Sequence, residues 1–232
     1  MPRLILIGGG SSSGKSYLTK KVIAEVGEAQ ITHLTLDDYY KDQSSMSKEE
    51  RLKVNYDHPR AFDWKLMREQ VAALKRGESI AKPIYDFVER TRSAKIETIV
   101  PKKLIVIEGI MALVDKELRQ MGDLRVFISA SAERRFLRRL IRDSEERGRE
   151  FEGIVKQYFS TVQPMYDEIV EPSSIYADLI VNNDGVRNRA VDVLASLFKK
   201  ELDLANENKG EELAQDEFQG EVLARVFSKR TK

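Results

Sequence analysis

A run of glycines and serines that ends in a lysine and a hydroxyl side chain lies close to the N-terminus. Its residues are Gly9, Gly10, Ser11, Ser12, Ser13, Gly14, Lys15 and Ser16. Glycines let the main chain approach a phosphate closely, and successive N–H groups form a concave anion site. Lys15 would reach the β- and γ-phosphates of a nucleoside triphosphate, and the Ser16 hydroxyl would ligate Mg²⁺. This spacing therefore predicts triphosphate binding.

The residues on either side of this run bear on that prediction, because a glycine- and serine-rich turn with an accidental lysine would have the same composition. The apolar run Leu4–Ile7 precedes it, and the helical pattern Ser16–Val26 follows it. A strand before the loop and a helix after it would add the positive end of a helix to the anion site. The context therefore favours phosphate binding over a simple turn.

Acidic side chains follow two other apolar runs. Glu108 comes directly after Leu104–Ile107, where a carboxylate can hold Mg²⁺ or its water shell. Asp37 and Asp38 follow the run Ile31–Leu36, and a kinase needs a carboxylate beside its acceptor hydroxyl. Adjacent residues of a strand point to opposite sides, so we do not expect these two to share a role, and Asp37 is expected at the ligand edge of the sheet, near the loop. The alternative is that both are turn and helix-capping residues.

Short apolar runs and helical patterns alternate along the chain. The predicted strands are Leu4–Ile7, Ile31–Leu36, Leu104–Ile107, Leu124–Ile128 and Leu179–Val181, and the predicted helices are Ser16–Val26, Trp64–Lys75, Glu133–Arg142 and Ala190–Phe198. This alternation predicts an α/β fold with a doubly wound, mainly parallel sheet that binds ligands at the carboxyl ends of its strands. Two β-like runs, Ile80–Val88 and Lys95–Val100, are joined by the polar stretch Glu89–Ser93. They predict a hairpin insertion over about residues 80–100 that could cover a substrate.

The composition limits what else the chain can do. It has 232 residues, with 39 Lys+Arg, 38 Asp+Glu and no cysteine. Because the charges balance, no global field favours nucleic acid or an anionic membrane, and the lack of cysteine excludes disulfides and thiolate metal sites. The first apolar run is too short for a secretory signal, and no stretch approaches the length of a membrane span. We expect a soluble cytoplasmic protein, with one domain over residues 1–200 and a charged helical tail over residues 201–232.

One predicted helix carries a basic face. Arg135, Arg138, Arg139 and Arg142 share that face, whereas Phe136, Leu137, Leu140 and Ile141 form an opposite stripe that we expect to face the core. A solvated charged face is the simpler interpretation. Arg147 and Arg149 continue the basic run around Gly148, which favours a lid over about residues 139–153 that brings arginines to a transferring phosphoryl group.

Further segments carry a resemblance to a known family. They are Gly8–Ser16, Leu36–Asp42, Asn55–Asp63, Lys82–Phe87, Ile107–Ile110, Arg138–Asp143, Glu146–Arg149, Gln157–Tyr158 and Tyr176–Asp178, in the family's order. Through them the chain resembles the uridine kinases (uridine–cytidine kinases), within the phosphoribulokinase/uridine kinase group of P-loop kinases. The Asp57–Pro59 and Tyr85–Phe87 segments are far more specific to that group than the glycine loop is.

The resemblance implies a role for each matching position. It implies that Asp37 is the catalytic base for a ribose 5′-hydroxyl, that Asp57 binds the ribose hydroxyls and that Tyr85 lies beside the base. Further implied positions are Arg139, Arg149 and Gln157 for the substrate, Ser16 and Glu108 for the metal, and Arg142 and Arg147 in a lid over the phosphates. ATP as phosphoryl donor, Mg²⁺ and assembly into homo-oligomers are expectations from the same resemblance.

One position of the substrate-binding set departs from the family. Uridine kinases carry a histidine two residues before the hairpin arginine, where it helps to read the pyrimidine base, and this chain has Arg90 there, before Arg92. An arginine is always charged and only donates hydrogen bonds, so Arg90 could bond a base carbonyl or favour an anionic substrate. The predicted function is ATP-dependent transfer of a γ-phosphoryl group to the 5′-hydroxyl of a nucleoside, with uridine or cytidine first. The alternatives are a kinase for another riboside or a sugar phosphate, and a nucleotide-binding switch without transfer.

Overall fold

A five-stranded parallel sheet forms the centre of the molecule. The computed structural model describes residues 1–185 and 189–207. The strands of this sheet are β1 (Arg3–Gly9), β2 (Ile31–Thr35), β5 (Leu104–Glu108), β6 (Leu124–Ser129) and β7 (Leu179–Asn182), while β3 (Ile80–Asp86) and β4 (Thr91–Ile99) pair separately. The order across the sheet is β2-β5-β1-β6-β7, and every neighbouring pair is parallel. The strand predictions are therefore confirmed, although β2 ends one residue earlier than predicted.

Helices cover the sheet and connect its strands. They are α1 (Lys15–Val26), α2 (Lys48–Leu52), α3 (Trp64–Lys75), α4 (Lys116–Met121), α5 (Ala132–Glu145), α6 (Phe151–Gln157) and α7 (Gln163–Met165), with π-helical turns at Tyr158–Val162 and Tyr166–Val170. Residues 189–207 are helical as well. The four predicted helices are confirmed, and three of them extend beyond the predicted bounds.

Alternation along β1 builds one hydrophobic core on each face of the sheet. Leu4 and Leu6 pack in a cluster with Met67 of α3, whereas Ile5 and Ile7 belong to a second cluster with Phe198. Successive side chains of a strand point to opposite faces, so a strand that is buried on both sides must be apolar throughout. Two covered faces around a parallel sheet confirm the doubly wound α/β prediction.

The hairpin insertion is present, but its turn lies earlier than predicted. β3 and β4 pair antiparallel, with Asp86 opposite Thr91, so residues 87–90 form the turn and Thr91–Ser93 already belong to β4. The Asp86 carboxylate accepts hydrogen bonds from the amides of Val88 and Glu89, both at 2.9 Å. An aspartate that bonds its own following amides starts a turn, which explains the earlier position.

Helix α5 faces the opposite way from the predicted core-facing stripe. Leu137 is 56% exposed and Ile141 48% exposed, whereas Arg135 and Arg139 on the basic face are buried. The Arg135 guanidinium stacks on the Tyr166 ring with its carbon 3.5 Å from the ring centroid, and Arg135 Nε donates to Ala130 O. The apolar-stripe prediction was wrong because the arginines of α5 find aromatic, carbonyl and carboxylate partners inside the protein, as described below.

The helix over residues 189–207 runs past the predicted domain end at residue 200. Glu201 is buried and forms an ion pair with Arg3 of β1. The division into a domain over 1–200 and a tail over 201–232 stays a prediction, and residues 208–232 of that tail lie outside the described residues. Within residues 1–185 and 189–207, no helix combines the length and the apolar character needed to cross a membrane.

Candidate active site

In the glycine-rich loop between β1 and α1, the lysine side chain folds back onto the backbone of the loop. Lys15 Nζ donates to the carbonyl oxygens of Gly9 at 2.9 Å and Gly10 at 2.8 Å. Ser12 has a φ of 59°, a left-handed conformation that costs a non-glycine residue energy. The side-chain hydroxyls of Ser12 and Ser13 are buried, and neither has a hydrogen-bond partner in the described part of the chain. Strained backbone and unused donors at a helix N-terminus are features of an anion-binding site.

Two side chains that the sequence did not single out as site residues support this loop from outside. Asn183 Nδ2 donates to Ser13 O at 2.8 Å, and Arg138 lies 3.4 Å from the same oxygen while bonding Asn183 O at 2.9 Å. Asn183 follows β7 at the strand edge where the ligands of this fold bind, and that position was the only signal in the sequence. Both residues hold the loop in shape from the side that faces α5.

The two predicted metal ligands lie in direct contact. Ser16 Oγ donates to Glu108 Oε1 at 2.7 Å, and Glu108 is buried at the end of β5. Among the described residues, no group of three or more His, Cys, Asp or Glu side chains is placed to hold a metal ion. A site with two protein oxygens suits Mg²⁺, which usually keeps several waters and takes further ligands from phosphates.

Asp37 lies in a 3₁₀ turn, Leu36–Tyr39, directly after β2. It lines a cavity of about 320 Å³ together with Lys15, Ser16, Glu108 and Arg142. Burial, followed by the neighbouring Glu108 carboxylate, raises the pKa of Asp37 to about 6. Burial also lowers the pKa of Lys15 to about 8, although Glu108 and Asp37 oppose that shift. A carboxyl group with a pKa near neutrality suits a general base.

The neighbouring Asp38 is directed toward the hairpin. It forms an ion pair with Lys82 of β3, and Lys82 also lies 3.2 Å from Glu97 of β4. The Asp37 carboxylate, in contrast, makes no hydrogen bond or ion pair with any other described residue. The two aspartates therefore differ in environment, as the sequence predicted, and Asp38 fixes the hairpin to the turn that carries Asp37.

A second polar group lies beyond Asp37, where Asp57 faces α5 and α6. Asp57 is buried; that burial raises its pKa, and the nearby Arg139 opposes the shift. Arg139 donates to Gln157 Oε1 at 3.1 Å and to Ser11 Oγ at 2.8 Å. Thr161, which was not predicted, places its hydroxyl 3.5 Å from Asp57 Oδ2 and bonds Gln157 O. No sequence pattern marks Thr161, since it reaches the site only because α6 continues into a π-helical turn.

Aromatic rings form the wall between this polar group and the hairpin. Tyr40 stacks on Phe62 with ring centroids 4.4 Å apart and lies 5.0 Å from the Tyr85 ring. Burial, followed by the Tyr56 side chain, raises the pKa of the Tyr85 hydroxyl, which makes no hydrogen bond of normal geometry with any described residue. Tyr40 was not predicted as a site residue, although burial and the charges of Asp37 and Asp57 raise its pKa. These rings could hold a flat apolar group beside the carboxylates.

Arg90 lies at the end of the hairpin turn. It has a φ of 53°, and its carbonyl oxygen accepts a hydrogen bond from the Tyr56 hydroxyl at 3.2 Å. Its guanidinium acts electrostatically on Tyr85. Within residues 1–185 and 189–207 the guanidinium forms no hydrogen bond or ion pair. Two polar groups near one another, Arg90 and the Tyr85 hydroxyl, therefore lack protein partners at the hairpin end of the site.

The predicted lid arginines converge on one carboxylate. Arg139, Arg142, Arg147 and Arg149 all lie within 3.5 Å of Asp143, whose side chain is fully buried. The Arg147 guanidinium also lies over the Phe87 ring of the hairpin, 5.5 Å from its centroid. The structure thus brings together the loop residues, Asp37, Glu108 and the arginines on one side, and Asp57, Gln157 and Tyr85 on the other.

The sequence is similar to known proteins over most of its length. The family model described as Phosphoribulokinase / Uridine kinase family matches residues 4–190. The chain is 46% identical over 198 residues to a uridine kinase of Deinococcus deserti, covering 85% of this chain and 96% of that one. It is 42% identical over 201 residues to a uridine kinase of Listeria monocytogenes, covering 87% and 96%.

Solved structures share the fold. Phosphoribulokinase from Rhodobacter spheroides superposes with a TM-score of 0.61 at 13% identity, covering 81% of this chain and 72% of that one. D-glycerate 3-kinase from Cryptococcus neoformans superposes with a TM-score of 0.59 at 16% identity, covering 78% and 86%. At such identities the likeness shows the fold alone, whereas the family match covers most of the sequence. The chain therefore belongs to the phosphoribulokinase/uridine kinase family of ATP-dependent phosphotransferases.

Proposed function

We propose that this chain transfers the γ-phosphoryl group of ATP to the 5′-hydroxyl of a pyrimidine nucleoside, uridine or cytidine. One observation carries the proposal: the Asp37 carboxylate has no hydrogen-bond or ion-pair partner among the described residues. It lies between the donor-side residues Lys15 and Glu108 and the acceptor side at Asp57 and Tyr40. A base that contacts both sides can take a proton from a hydroxyl aligned with the γ-phosphate. The uridine kinases among the relatives support this choice of acceptor.

On the donor side, the loop amides and Lys15 would bind the phosphates. Lys15 now donates to the carbonyls of Gly9 and Gly10, and a triphosphate would replace these with stronger, charge-assisted hydrogen bonds. Arg142 lines the same cavity and would neutralise charge that develops on the transferring group. We further propose that Ser16 and Glu108 hold Mg²⁺, since both offer the hard oxygen ligands that this ion prefers. When bound, the ion would add positive charge at the phosphates.

On the acceptor side, Asp57 would accept hydrogen bonds from the ribose 2′- and 3′-hydroxyls. Burial raises the pKa of its carboxyl group, and the nearby Arg139 and Arg149 oppose that shift and so favour the charged form. Gln157 accepts a hydrogen bond from Arg139 and would bond the same substrate. This set favours a nucleoside with a free ribose, because each polar group finds a hydroxyl partner there.

The base would lie against Tyr40 and Tyr85, with its far edge toward Arg90. In a pyrimidine nucleoside C4 lies opposite the ring nitrogen that carries the ribose, so the C4 substituent points away from Asp57. Arg90 only donates hydrogen bonds, so it pairs with the C4 carbonyl of uracil and not with the C4 amino group of cytosine. We therefore propose that uridine is the better acceptor of the two.

The Arg90 guanidinium has no hydrogen-bond or ion-pair partner in the described part of the chain. It therefore also favours a second candidate acceptor, a sugar phosphate, whose negative charge would lie at the hairpin end of the site. An ADP-release assay over uridine, cytidine, purine nucleosides and sugar monophosphates distinguishes the two candidates. The proposal predicts turnover of uridine above cytidine. Turnover of a sugar phosphate with none of either pyrimidine nucleoside would refute it, and ATP binding without turnover of any acceptor would support a nucleotide-dependent switch.

A cytoplasmic location and a homo-oligomeric state, without nucleic-acid partners, are part of the same proposal. They are supported by the near balance of 39 basic and 38 acidic residues and by the family to which the chain belongs.

A further inference from the structure

Asp143 is the fully buried carboxylate of α5, and its two oxygens contact different pairs of arginines. Oδ1 accepts from Arg142 Nη2 at 2.7 Å and Arg142 Nε at 2.9 Å, and it lies 3.4 Å from Arg147 Nη1. Those of Oδ2 are Arg149 Nη1 at 3.0 Å and Arg139 Nε at 3.5 Å. A backbone hydrogen bond also joins Arg149 and Asp143, since Arg149 N donates to Asp143 O at 3.0 Å.

The Oδ1 pair belongs to the donor side of the site. Arg142 lines the cavity with Lys15 and Asp37. Arg147 and Arg142 are the two arginines whose charge acts on Asp37. Both guanidiniums are therefore placed near the position at which a phosphoryl group would approach the base.

The Oδ2 pair belongs to the acceptor side. Arg139 and Arg149 are the arginines whose charge acts on Asp57, and Arg139 also donates to Gln157. Arg139 has one contact toward the phosphate loop as well, through Ser11 Oγ. The Oδ1 pair therefore acts on Asp37 and the Oδ2 pair acts on Asp57, and Asp143 contacts both pairs.

The charges of this group are not balanced within it. Four guanidiniums surround one carboxylate, and outside this group Asp37 acts on Arg147 and Asp57 acts on Arg139, so the positive charge is partly offset. A triphosphate would add an anion on the Oδ1 side and draw Arg142 and Arg147 toward it. A carboxylate that is buried among four charged partners cannot turn to follow one pair without changing its bonds to the other pair.

From this geometry we infer that Asp143 is a positioning residue that couples the two substrate sites, so that nucleotide and acceptor strengthen each other's binding. The inference rests on the proposed function for the identity of the acceptor. Coupling of this kind is reciprocal, because each ligand must change the affinity for the other by the same factor. The carboxylate itself touches neither substrate and acts through its arginines.

The test measures binding of a non-hydrolysable ATP analogue to the full chain by calorimetry, with Mg²⁺, in the absence and presence of saturating uridine. We expect uridine to tighten analogue binding about fivefold or more in the wild type. Asp143→Asn should reduce that factor to about one, because an amide has one acceptor oxygen and its NH₂ group repels a guanidinium. It should also lower kcat at least about tenfold, since misplaced arginines no longer stabilise the transferring group.

Two variants separate coupling from a merely structural role. Asp178→Asn removes a carboxylate that bonds Arg125 through two oxygens, at 3.0 and 2.7 Å, outside the site, and it should keep the wild-type coupling factor. Asp143→Glu keeps two acceptor oxygens and should retain only part of the coupling. Its coupling factor serves as the test if Asp143→Asn does not fold. Thermal stability is recorded for all variants.

Two results would overturn the inference. One is a wild type in which uridine leaves analogue affinity unchanged, and the other is an Asp143→Asn or Asp143→Glu variant whose coupling factor equals that of the wild type. Formation of uridine monophosphate by the wild type is followed separately. Its absence counts against the proposed function, whereas the coupling factor alone decides the role of Asp143.

Discussion

The phosphate loop and the hairpin end of the acceptor site differ in how far the protein fixes them. Hydrogen bonds hold the loop on both sides: Lys15 donates to the carbonyls of Gly9 and Gly10 inside the loop, and Asn183 and Arg138 donate to the Ser13 carbonyl on its outer side. At the hairpin end, the Tyr85 hydroxyl and the Arg90 guanidinium have no hydrogen-bond partners in the described part of the chain. The backbone of the donor loop is therefore held by other protein groups, whereas the hairpin end of the acceptor site leaves side-chain bonds for its ligand.

This difference fits the demands on each region. Every nucleoside triphosphate offers the same phosphate chain, so a rigid nest of amides is useful whatever the acceptor is. Acceptor choice depends on a few donors and acceptors, and buried groups without partners penalise any ligand that leaves them unpaired. Changes in the loop should therefore affect binding of the nucleotide, and changes at the hairpin should affect which acceptor is used.

The largest effect is expected at the residue between the two regions. Asp37→Asn should lower kcat by about two to four orders of magnitude, since it removes the proton acceptor. Binding of the ATP analogue should change by less than about threefold, because the amide keeps the shape of the side chain. Calorimetry and ADP release measure the two quantities. Asp42→Asn, at an exposed position on the same segment, is the control and should behave like the wild type; full activity of Asp37→Asn would show that another group is the base.

A second prediction tests how firmly the loop is fixed. Gly14 has a φ of 99°, and a Cβ there would lie 2.1 Å from Asn183 Nδ2, so Gly14→Ala should strain the backbone and displace the supporting amide. The KM for ATP should rise at least about tenfold if the loop amides lose their alignment.

Gly77 offers a matched control, with a φ of 85° and no described atom within 4 Å of the position that an added methyl group would take. Gly77→Ala should cost about 1 kcal/mol of stability from backbone strain and leave the KM for ATP unchanged. Equal KM values in the two variants would mean that contact with Asn183 does not shape the phosphate site.

The third prediction concerns pH. Because burial raises the pKa of Asp37 to about 6, kcat/KM for the acceptor should rise with pH through about 6 as this carboxyl group loses its proton. Because burial lowers the pKa of Lys15 to about 8, kcat/KM for ATP should fall above about pH 8 as the amine loses its charge. Initial rates across about pH 5 to 9, at fixed ionic strength, measure both limbs. A flat profile between about pH 5 and 7 would contradict the assignment of Asp37 as base.

The smallest effect is expected at the hairpin end. Arg90→His should raise the rate with cytidine relative to uridine by about tenfold, because a histidine can accept as well as donate a hydrogen bond. The ratio of kcat/KM values in a competition assay measures this change. Arg92→Lys, at a residue paired with Asp63 at 3.1 Å, serves as a control for changes in hairpin charge and should leave the ratio unchanged. An unaltered ratio in Arg90→His would place Arg90 outside the base site.

Local pattern was enough to predict the sheet, the main helices and the phosphate loop. The loop residues are adjacent in sequence, and the strand runs are buried on both sides, so their composition carries the signal. The residues around Asp37 were located because carboxylates that end parallel strands meet at one edge of the sheet.

Features that depend on partners distant in the sequence could not be predicted in the same way. The stripe Phe136, Leu137, Leu140, Ile141 was expected in the core, yet α5 turns its arginines inward, because Tyr166 and Asp143 offer them partners. An amphipathic pattern identifies the two faces of a helix. It does not tell which face is buried when charged side chains can form ion pairs and hydrogen bonds inside the protein. Tyr40, Thr161 and Asn183 were missed for the same reason, since only the tertiary fold brings them to the site.

The central claim is that Asp37 deprotonates the 5′-hydroxyl of a pyrimidine nucleoside for attack on the γ-phosphate of ATP. Phosphorus NMR of the protein with ATP, Mg²⁺ and uridine tests it most directly, because the product of transfer is seen itself. We predict that the resonance of a 5′-nucleoside monophosphate appears in step with that of ADP, and that Asp37→Asn abolishes both. Release of ADP with inorganic phosphate alone, or unchanged ATP, would contradict the account.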